Sequence, residues 1–177
     1  ARYMIVSDQN LQEQQYWDLR KTQQTGQCQS REDYYSAFRN EIQQSIRQSI
    51  RTDAEIMAHY SGGLDSSSIA SIAALQLAKE NKTLMAYTAI PKYLSGDSHR
   101  KGCKYHELDR VQSACRYYDN IETIVYQSSE DLSIFDKLQV FYPYLDQPFK
   151  AVFNMEWILA GLEMAAAKNC RILLNGE

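Results

Sequence analysis

Hydrophobic positions in this chain recur with a helical period after residue 30. The repeating apolar positions are Tyr34, Phe38, Ile42, Ile46 and Ile50, one in every four residues. Charged residues and glutamines lie between them. This spacing is typical of an amphipathic helix, and it predicts one buried stripe along the helix.

Four short apolar runs further along the chain predict strands, at residues 54–60, 84–90, 121–126 and 171–174. Helices are predicted between them, at residues 66–79, around residues 108–118, over residues 131–141 and around residues 155–162, with a loop over residues 143–148. Strands that alternate with helices predict right-handed crossovers and a parallel sheet covered on both faces. The expected fold class is α/β, with a doubly wound parallel sheet.

The first 30 residues have a different character. Residues 3–6 are predicted to form a short strand, but residues 9–29 are rich in glutamine, which is linker composition. We therefore expect residues 1–30 to be a linker or the end of a preceding domain. Residues 31–177 are expected to form one domain. Because the chain starts without Met and stops directly after a predicted buried strand, we expect a fragment, truncated at the C-terminus.

Composition and charge argue against membrane and nucleic-acid partners. No apolar run approaches the roughly 20 residues that a membrane span needs. The net charge is −3 and the basic residues are scattered, so the sequence contains no basic cluster of the kind that binds nucleic acid. The four cysteines form no Cys-x-x-Cys pair, and no signal peptide precedes them. A reducing cytoplasm is the expected location.

The string Ser-Gly-Gly-Leu-Asp-Ser at residues 61–66 follows the first strand of the predicted sheet. Ligands of open parallel sheets bind beyond the carboxyl ends of the strands. Gly62 and Gly63 lack Cβ atoms, so the backbone N–H groups can approach an anion closely. The next helix adds the positive end of its dipole, and Ser61 and Ser66 add hydroxyl groups. This combination predicts a phosphate site.

Asp65 needs a separate explanation, because a bare carboxylate repels polyphosphate. Mg²⁺ removes the conflict, since it favours one or two carboxylates together with phosphate oxygens. In the alternative interpretation, the string is only a turn and Asp65 is a helix cap. No Lys follows the glycines as in a P-loop, and the dinucleotide fingerprint is also absent.

The string Tyr-Ser-Gly-Gly-Leu-Asp-Ser-Ser at residues 60–67 resembles the pyrophosphatase loop of the N-type ATP pyrophosphatases. It is most similar to the loop in the synthetase domain of glutamine-dependent asparagine synthetases. Three weaker matches favour the same family. They are Tyr-Trp-Asp-Leu at residues 16–19, Asp-Gln-Pro-Phe at residues 146–149 and Leu-Leu-Asn-Gly-Glu at residues 173–177.

The resemblance implies an adenine nucleotide α hydrolase-like fold and a site for ATP and Mg²⁺. The implied ATP-binding residues are His59, Ser61, Gly62, Gly63, Asp65, Ser66, Ala89, Gly176 and Glu177. Asp65 is the implied metal ligand. His59 and Tyr60 stand where the family usually has aliphatic residues, which predicts an altered adenine pocket. The later catalytic residues of the family fall beyond the end of this sequence.

The activity implied by the resemblance is adenylation of a carboxylate, with release of pyrophosphate, followed by attack of ammonia or another amine. The implied partners are aspartate or an analogue and ammonia from a glutaminase domain, and a homodimer is one expected assembly. Two alternatives stay open. One is another ATP pyrophosphatase that makes a lactam, a peptide-type amide or a thiolated product. The other is a nucleotide-binding or scaffolding module that has lost catalysis.

A second cluster, formed by His99, Cys103 and His106 with Asp97 nearby, contains side chains that can bind a metal. Its spacing fits no usual zinc pattern, and the lysines and arginine beside it oppose a cation. A loop is the better interpretation of this segment.

Overall fold

The computed structural model describes residues 1–21, 29–90, 107–127 and 152–176, together with Asp136, Gln139, Tyr142 and Pro143. The chain divides into two compact units, residues 1–40 and residues 41–177. The helix predicted over residues 131–141 and the loop predicted over residues 143–148 fall largely outside the described residues. The boundary predicted between residues 30 and 31 stays a prediction.

The first unit begins with a β-hairpin. Strand β1 (Arg2–Ser7) pairs antiparallel with β2 (Asn10–Gln15), and a 3-10 helix follows at Leu19–Lys21. The strand predicted at residues 3–6 is confirmed. Residues 10–15, which have linker composition, form a strand that pairs with β1 while every side chain stays exposed. The assignment of residues 1–30 to a linker or the end of a preceding domain stays a prediction. Composition reports the polarity of such a strand but not its pairing partner.

Helix α1 (Arg31–Ser49) confirms the helical period but only half of the predicted buried stripe. Ile46 and Ile50 lie in the core, whereas Tyr34 is 58% exposed and Phe38 is 67% exposed. The four-residue spacing determines which side chains share a face of the helix. It does not determine whether another element packs on that face along its full length.

The second unit contains a four-stranded parallel sheet. Its elements are β3 (Glu55–His59), α2 (Leu64–Ala78), β4 (Leu84–Ile90), α3 (Glu107–Cys115), β5 (Ile121–Gln127), α4 (Val152–Ala167) and β6 (Cys170–Leu174). The strand order is β5-β4-β3-β6, and each adjacent pair is parallel. All four predicted strands are present. Helix α2 begins two residues earlier than predicted.

Helices cover both faces of this sheet. One face carries Ile56 and Ala58, which pack with buried residues of α1, α2 and α3 such as Ile46, Ala70 and Val111. The opposite face packs Met57 and Tyr87 of the sheet with Ala165 and Trp157 of α4. The predicted doubly wound α/β fold is therefore confirmed.

The chain leaves β3 toward β4 on one side, and β6 lies on the other side of β3. Such a reversal of direction opens a crevice at the carboxyl ends of the strands. The loop at residues 61–66 lies there. Within the described ranges, no helix is long and apolar enough to cross a bilayer.

Candidate functional site

The turn between β3 and α2 depends on glycine. Gly62 has φ of +70°, in the left-handed region that side-chain-bearing residues rarely adopt. Gly63 is the N-cap of α2, with φ of −74° and ψ of 165°, and no side-chain hydrogen bond caps the helix there. The first N–H groups of α2 therefore remain available to an external acceptor.

Two serine hydroxyls meet at this helix start. Ser61 Oγ lies 3.0 Å from Ser66 Oγ, and the Ser61 N–H donates to Ser66 Oγ at 3.3 Å. The Gly63 N–H makes a long bond of 3.4 Å to Ser61 Oγ. Because a hydroxyl hydrogen can rotate, both serines can redirect their donors toward an anion. The loop thus gathers backbone and hydroxyl donors in one place.

The end of β6 closes the loop from the other side. A Cβ atom placed on Gly176 would lie 3.1 Å from the Ser66 backbone nitrogen and 3.3 Å from Asp65 Cβ. A side chain at residue 176 would therefore press on the backbone at the start of α2, which would have to yield by a few tenths of an ångström. The structure thus brings Gly176 to the first turn of α2, while Glu177 lies outside the described residues. The role of both residues in binding ATP stays a prediction.

Asp65 is the second residue of α2, and Gly63 is the N-cap. The interpretation of Asp65 as the helix cap is therefore wrong. Its carboxylate lines the same cavity as the two serines, which fits the donor set of a Mg²⁺ ion that takes its other ligands from phosphate and water. In the part of the chain that the structure describes, no three His, Cys, Asp or Glu side chains group to hold a metal. The cluster of His, Cys and Asp residues at positions 97–106 lies outside that part.

A cavity of about 690 Å³ opens at this edge of the sheet, a size typical of small-molecule sites. The predicted residues that line it are His59, Ser61, Gly63, Asp65, Ser66, Ala89 and Gly176. Gly62 shapes the turn without lining the cavity. The structure thus gathers seven of the nine predicted residues around one space, and their roles there stay predictions.

The far half of the cavity is aromatic. His59 has its ring centroid 5.4 Å from that of Tyr87 and 5.4 Å from that of Trp157. Tyr87 Oη donates to the Trp157 carbonyl at 2.7 Å. Burial, reinforced by the nearby Tyr126 and Glu156, raises the pKa of Tyr87 well above its ordinary value, so Tyr87 remains a hydrogen-bond donor.

Helix α4 approaches this half closely at Gly161. A Cβ atom there would lie 2.8 Å from His59 Nε2 and 3.0 Å from Tyr87 Cε1. The absence of a side chain at residue 161 therefore leaves room for both rings. Tyr60 also borders the cavity, but it is 1% exposed and its side chain packs in the core on the opposite face of the sheet. The altered adenine pocket expected from His59 and Tyr60 stays a prediction.

The sequence analysis missed the residues that complete this half: Tyr87, Tyr126, Asn154, Glu156, Trp157 and Ile158. Strand alternation offered a signal for two of them. Tyr87 lies on β4 opposite Ile124, and Tyr126 lies on β5 opposite Ala89, so both side chains project from one face near the strand ends. The sequence at the start of α4 offered no such signal, because a helical pattern does not show which face of the sheet the helix packs on.

Residues 37–177 match the family model described as asparagine synthase. No curated protein matches the chain. One similar solved structure is the U34-tRNA thiolase NcsA from Methanococcus maripaludis, with its 4Fe-4S cluster, which is 16% identical over 80% of this chain at a TM-score of 0.49. This chain covers 45% of that one, less than half its length. The family match includes most of the chain and confirms the resemblance carried by residues 60–67: the chain belongs to the asparagine synthase family.

Proposed function

We propose that this chain is the nucleotide-binding part of an ATP-dependent carbon–nitrogen ligase. The observation that carries the proposal is the start of α2, where uncapped N–H groups, two hydroxyls and one carboxylate border a single cavity. The N–H and hydroxyl groups suit phosphate oxygens, and the carboxylate suits a magnesium ion bound to them. Family membership supports ATP as the source of the phosphates.

The proposed reaction has two steps. A carboxylate oxygen of the substrate attacks the α-phosphorus of ATP, the bond to the bridging oxygen breaks, and pyrophosphate leaves. The nitrogen of ammonia or another amine then attacks the acyl carbon, loses a proton and displaces AMP. Aspartate or an analogue is the proposed acyl substrate, with ammonia supplied by a glutaminase domain.

The residues of this chain act mainly on the first step. The N–H groups at the start of α2, with Ser61 and Ser66, hold the β- and γ-phosphates and stabilise the charge that accumulates as pyrophosphate departs. Asp65 would hold a magnesium ion beside these phosphates. When bound, that ion supplies positive charge that neutralises the leaving group.

Pyrophosphate release by the protein tests this proposal. We expect release that requires ATP, Mg²⁺ and a carboxylate, with aspartate tried first and other amino acids and peptides after it. Mg²⁺-dependent ATP binding without release on any carboxylate would favour a nucleotide-binding module that has lost catalysis. If a folded sample shows neither binding nor release, the string at residues 61–66 is only a turn.

A further inference from the structure

A second carboxylate besides that of Asp65 borders the cavity. Glu156 lies in the second turn of α4, and its side chain lines the cavity with that of Tyr126. Tyr126 Oη donates to Glu156 Oε1 at 2.6 Å. This is the length of a hydrogen bond to an ionised acceptor, so Tyr126 holds the carboxylate in a fixed position on the cavity wall.

Glu156 stands at the end of the cavity away from the phosphate loop. Tyr126 belongs to β5, whereas residues 61–66 follow β3, and β4 separates the two strands. Two strand spacings amount to roughly 10 Å. One cavity reaches from the loop to Glu156, so it offers room for a nucleoside whose triphosphate binds at the loop.

The two ends of the cavity offer opposite hydrogen-bonding groups to a ligand. Backbone N–H groups and the hydroxyls of Ser61 and Ser66 surround the loop, where they donate to anions. A carboxylate accepts hydrogen bonds, and it repels phosphate. Glu156 therefore suits a part of the ligand that is uncharged and carries N–H or O–H donors.

The surroundings of Glu156 narrow the choice of ligand. His59, Tyr87 and Trp157 place aromatic rings in the same half of the cavity. Such rings favour a flat heterocycle, because stacked or edge-on aromatic contacts are favourable. A nucleoside offers both features, a flat base and several neutral donors.

We propose that Glu156, held by Tyr126, selects the nucleoside by accepting a hydrogen bond from its base amino group or a ribose hydroxyl. This inference rests on the proposed binding of ATP at residues 61–66. It makes Glu156 a specificity determinant and Tyr126 a positioning residue.

The competing explanation is structural, since the bond between Tyr126 and Glu156 also ties α4 to β5. If this hydrogen bond is only structural, its removal weakens the binding of every nucleotide by the same factor. A specificity contact affects only nucleotides that carry the donor it accepts. The ratio of two dissociation constants therefore separates the explanations better than either constant alone.

The experiment compares the binding of four nucleotides by calorimetry in the presence of Mg²⁺. They are ATP, the triphosphate of purine riboside, which lacks the amino group, and the 2′-deoxy and 3′-deoxy forms of ATP. We expect the wild type to bind at least one analogue about tenfold more weakly than ATP, as for loss of a hydrogen bond to a charged group. The analogue affected identifies the base or the ribose as the source of the donor.

Glu156→Ala is expected to erase that preference, Glu156→Gln to keep part of it through its amide oxygen, and Tyr126→Phe to reduce it. Glu163→Ala, an exposed glutamate of the same helix, is the matched control and should retain the preference. Thermal unfolding checks that each variant folds.

Equal binding of all four nucleotides by the wild type would overturn the inference, as would a preference that survives in Glu156→Ala. Parallel weakening of all four in Glu156→Ala would also overturn it, in favour of the structural tie. Failure of the underlying proposal looks different, because the wild type would then show no Mg²⁺-dependent binding of ATP.

Discussion

Two helices of this protein begin with a serine and an aspartate close together, and they use these residues in opposite ways. At α1, the Asp33 N–H donates to Ser30 Oγ at 3.1 Å, and Asp33 Oδ2 accepts from the Ser30 N–H at 2.9 Å. This reciprocal arrangement is a capping box, which satisfies the helix start internally. At α2, the N-cap is Gly63, and no side-chain hydrogen bond caps the helix.

The difference separates a structural helix start from one prepared for a ligand. Where a helix caps itself, its N–H groups and dipole are already matched to its own carboxylate. Where glycine occupies the N-cap, the same groups face a cavity and can bind an external anion. The comparison predicts that changes at α2 alter nucleotide binding, whereas changes at α1 alter only stability.

The largest expected effect is that of Asp65→Asn. The substitution keeps the shape of the side chain but removes the charge that we propose holds magnesium, so pyrophosphate release should fall by about 100-fold, comparable to loss of one strong electrostatic contact to a transition state. Asp109→Asn is the matched control, because Asp109 is an exposed acid in the first turn of α3. An equal loss of pyrophosphate release in Asp65→Asn and Asp109→Asn would contradict a special role for the start of α2.

A smaller effect is expected for Ser66→Ala. Loss of the hydroxyl removes one donor to phosphate, so the affinity for Mg²⁺-ATP should fall about tenfold, as measured by calorimetry. The control is Ser68→Ala, because Ser68 Oγ donates at 2.7 Å to the Leu64 carbonyl within the same helix. If Ser66→Ala binds Mg²⁺-ATP with wild-type affinity, the Ser66 hydroxyl does not contribute to phosphate binding.

Ser30→Ala should act on stability alone. Loss of the N-cap oxygen is expected to lower the free energy of unfolding by about 1 kcal/mol, measured by denaturant titration. Nucleotide affinity should stay at the wild-type value. A change in affinity as large as that of Ser66→Ala would contradict the division between the two helix starts.

The smallest expected effect is the pH dependence of the same capping box. The hydrogen bonds from Ser30, with a further one from the Gln29 N–H, hold the pKa of Asp33 below its ordinary value. The stabilisation is therefore present above the unfolded pKa of about 3.9, and it is lost as the pH falls through the lower folded pKa. Comparing acid unfolding of the wild type with Asp33→Asn checks this, since the variant should lack that component.

The loop at the start of α2 was predictable because it is contiguous. Residues 61–66 carry the turn, the donors and the carboxylate in one string. The apolar run at residues 54–60 predicts a strand directly before that string. The strands were predictable for a similar reason. A strand buried on both faces gives a continuous apolar run, as in residues 84–90, whose predicted bounds match β4.

The half of the cavity around Glu156 was not predictable in the same way. Tyr126 and Glu156 are 30 positions apart in sequence, and they meet because α4 packs on the face of the sheet to which Tyr126 points. The exposure of Tyr34 and the pairing of the glutamine-rich strand β2 were not predictable for a related reason. In each case the outcome depends on a partner element, which local periodicity and composition do not report.

The central claim is that an external polyphosphate occupies the start of α2. Backbone amide resonances of the protein, followed during titration with Mg²⁺-ATP, test it most directly. The account predicts saturable shifts at Gly62, Gly63 and Ser66, and unchanged resonances at Arg31 and Asp33 in the capped helix. Unchanged resonances at Gly62, Gly63 and Ser66 while ATP binds elsewhere would contradict it.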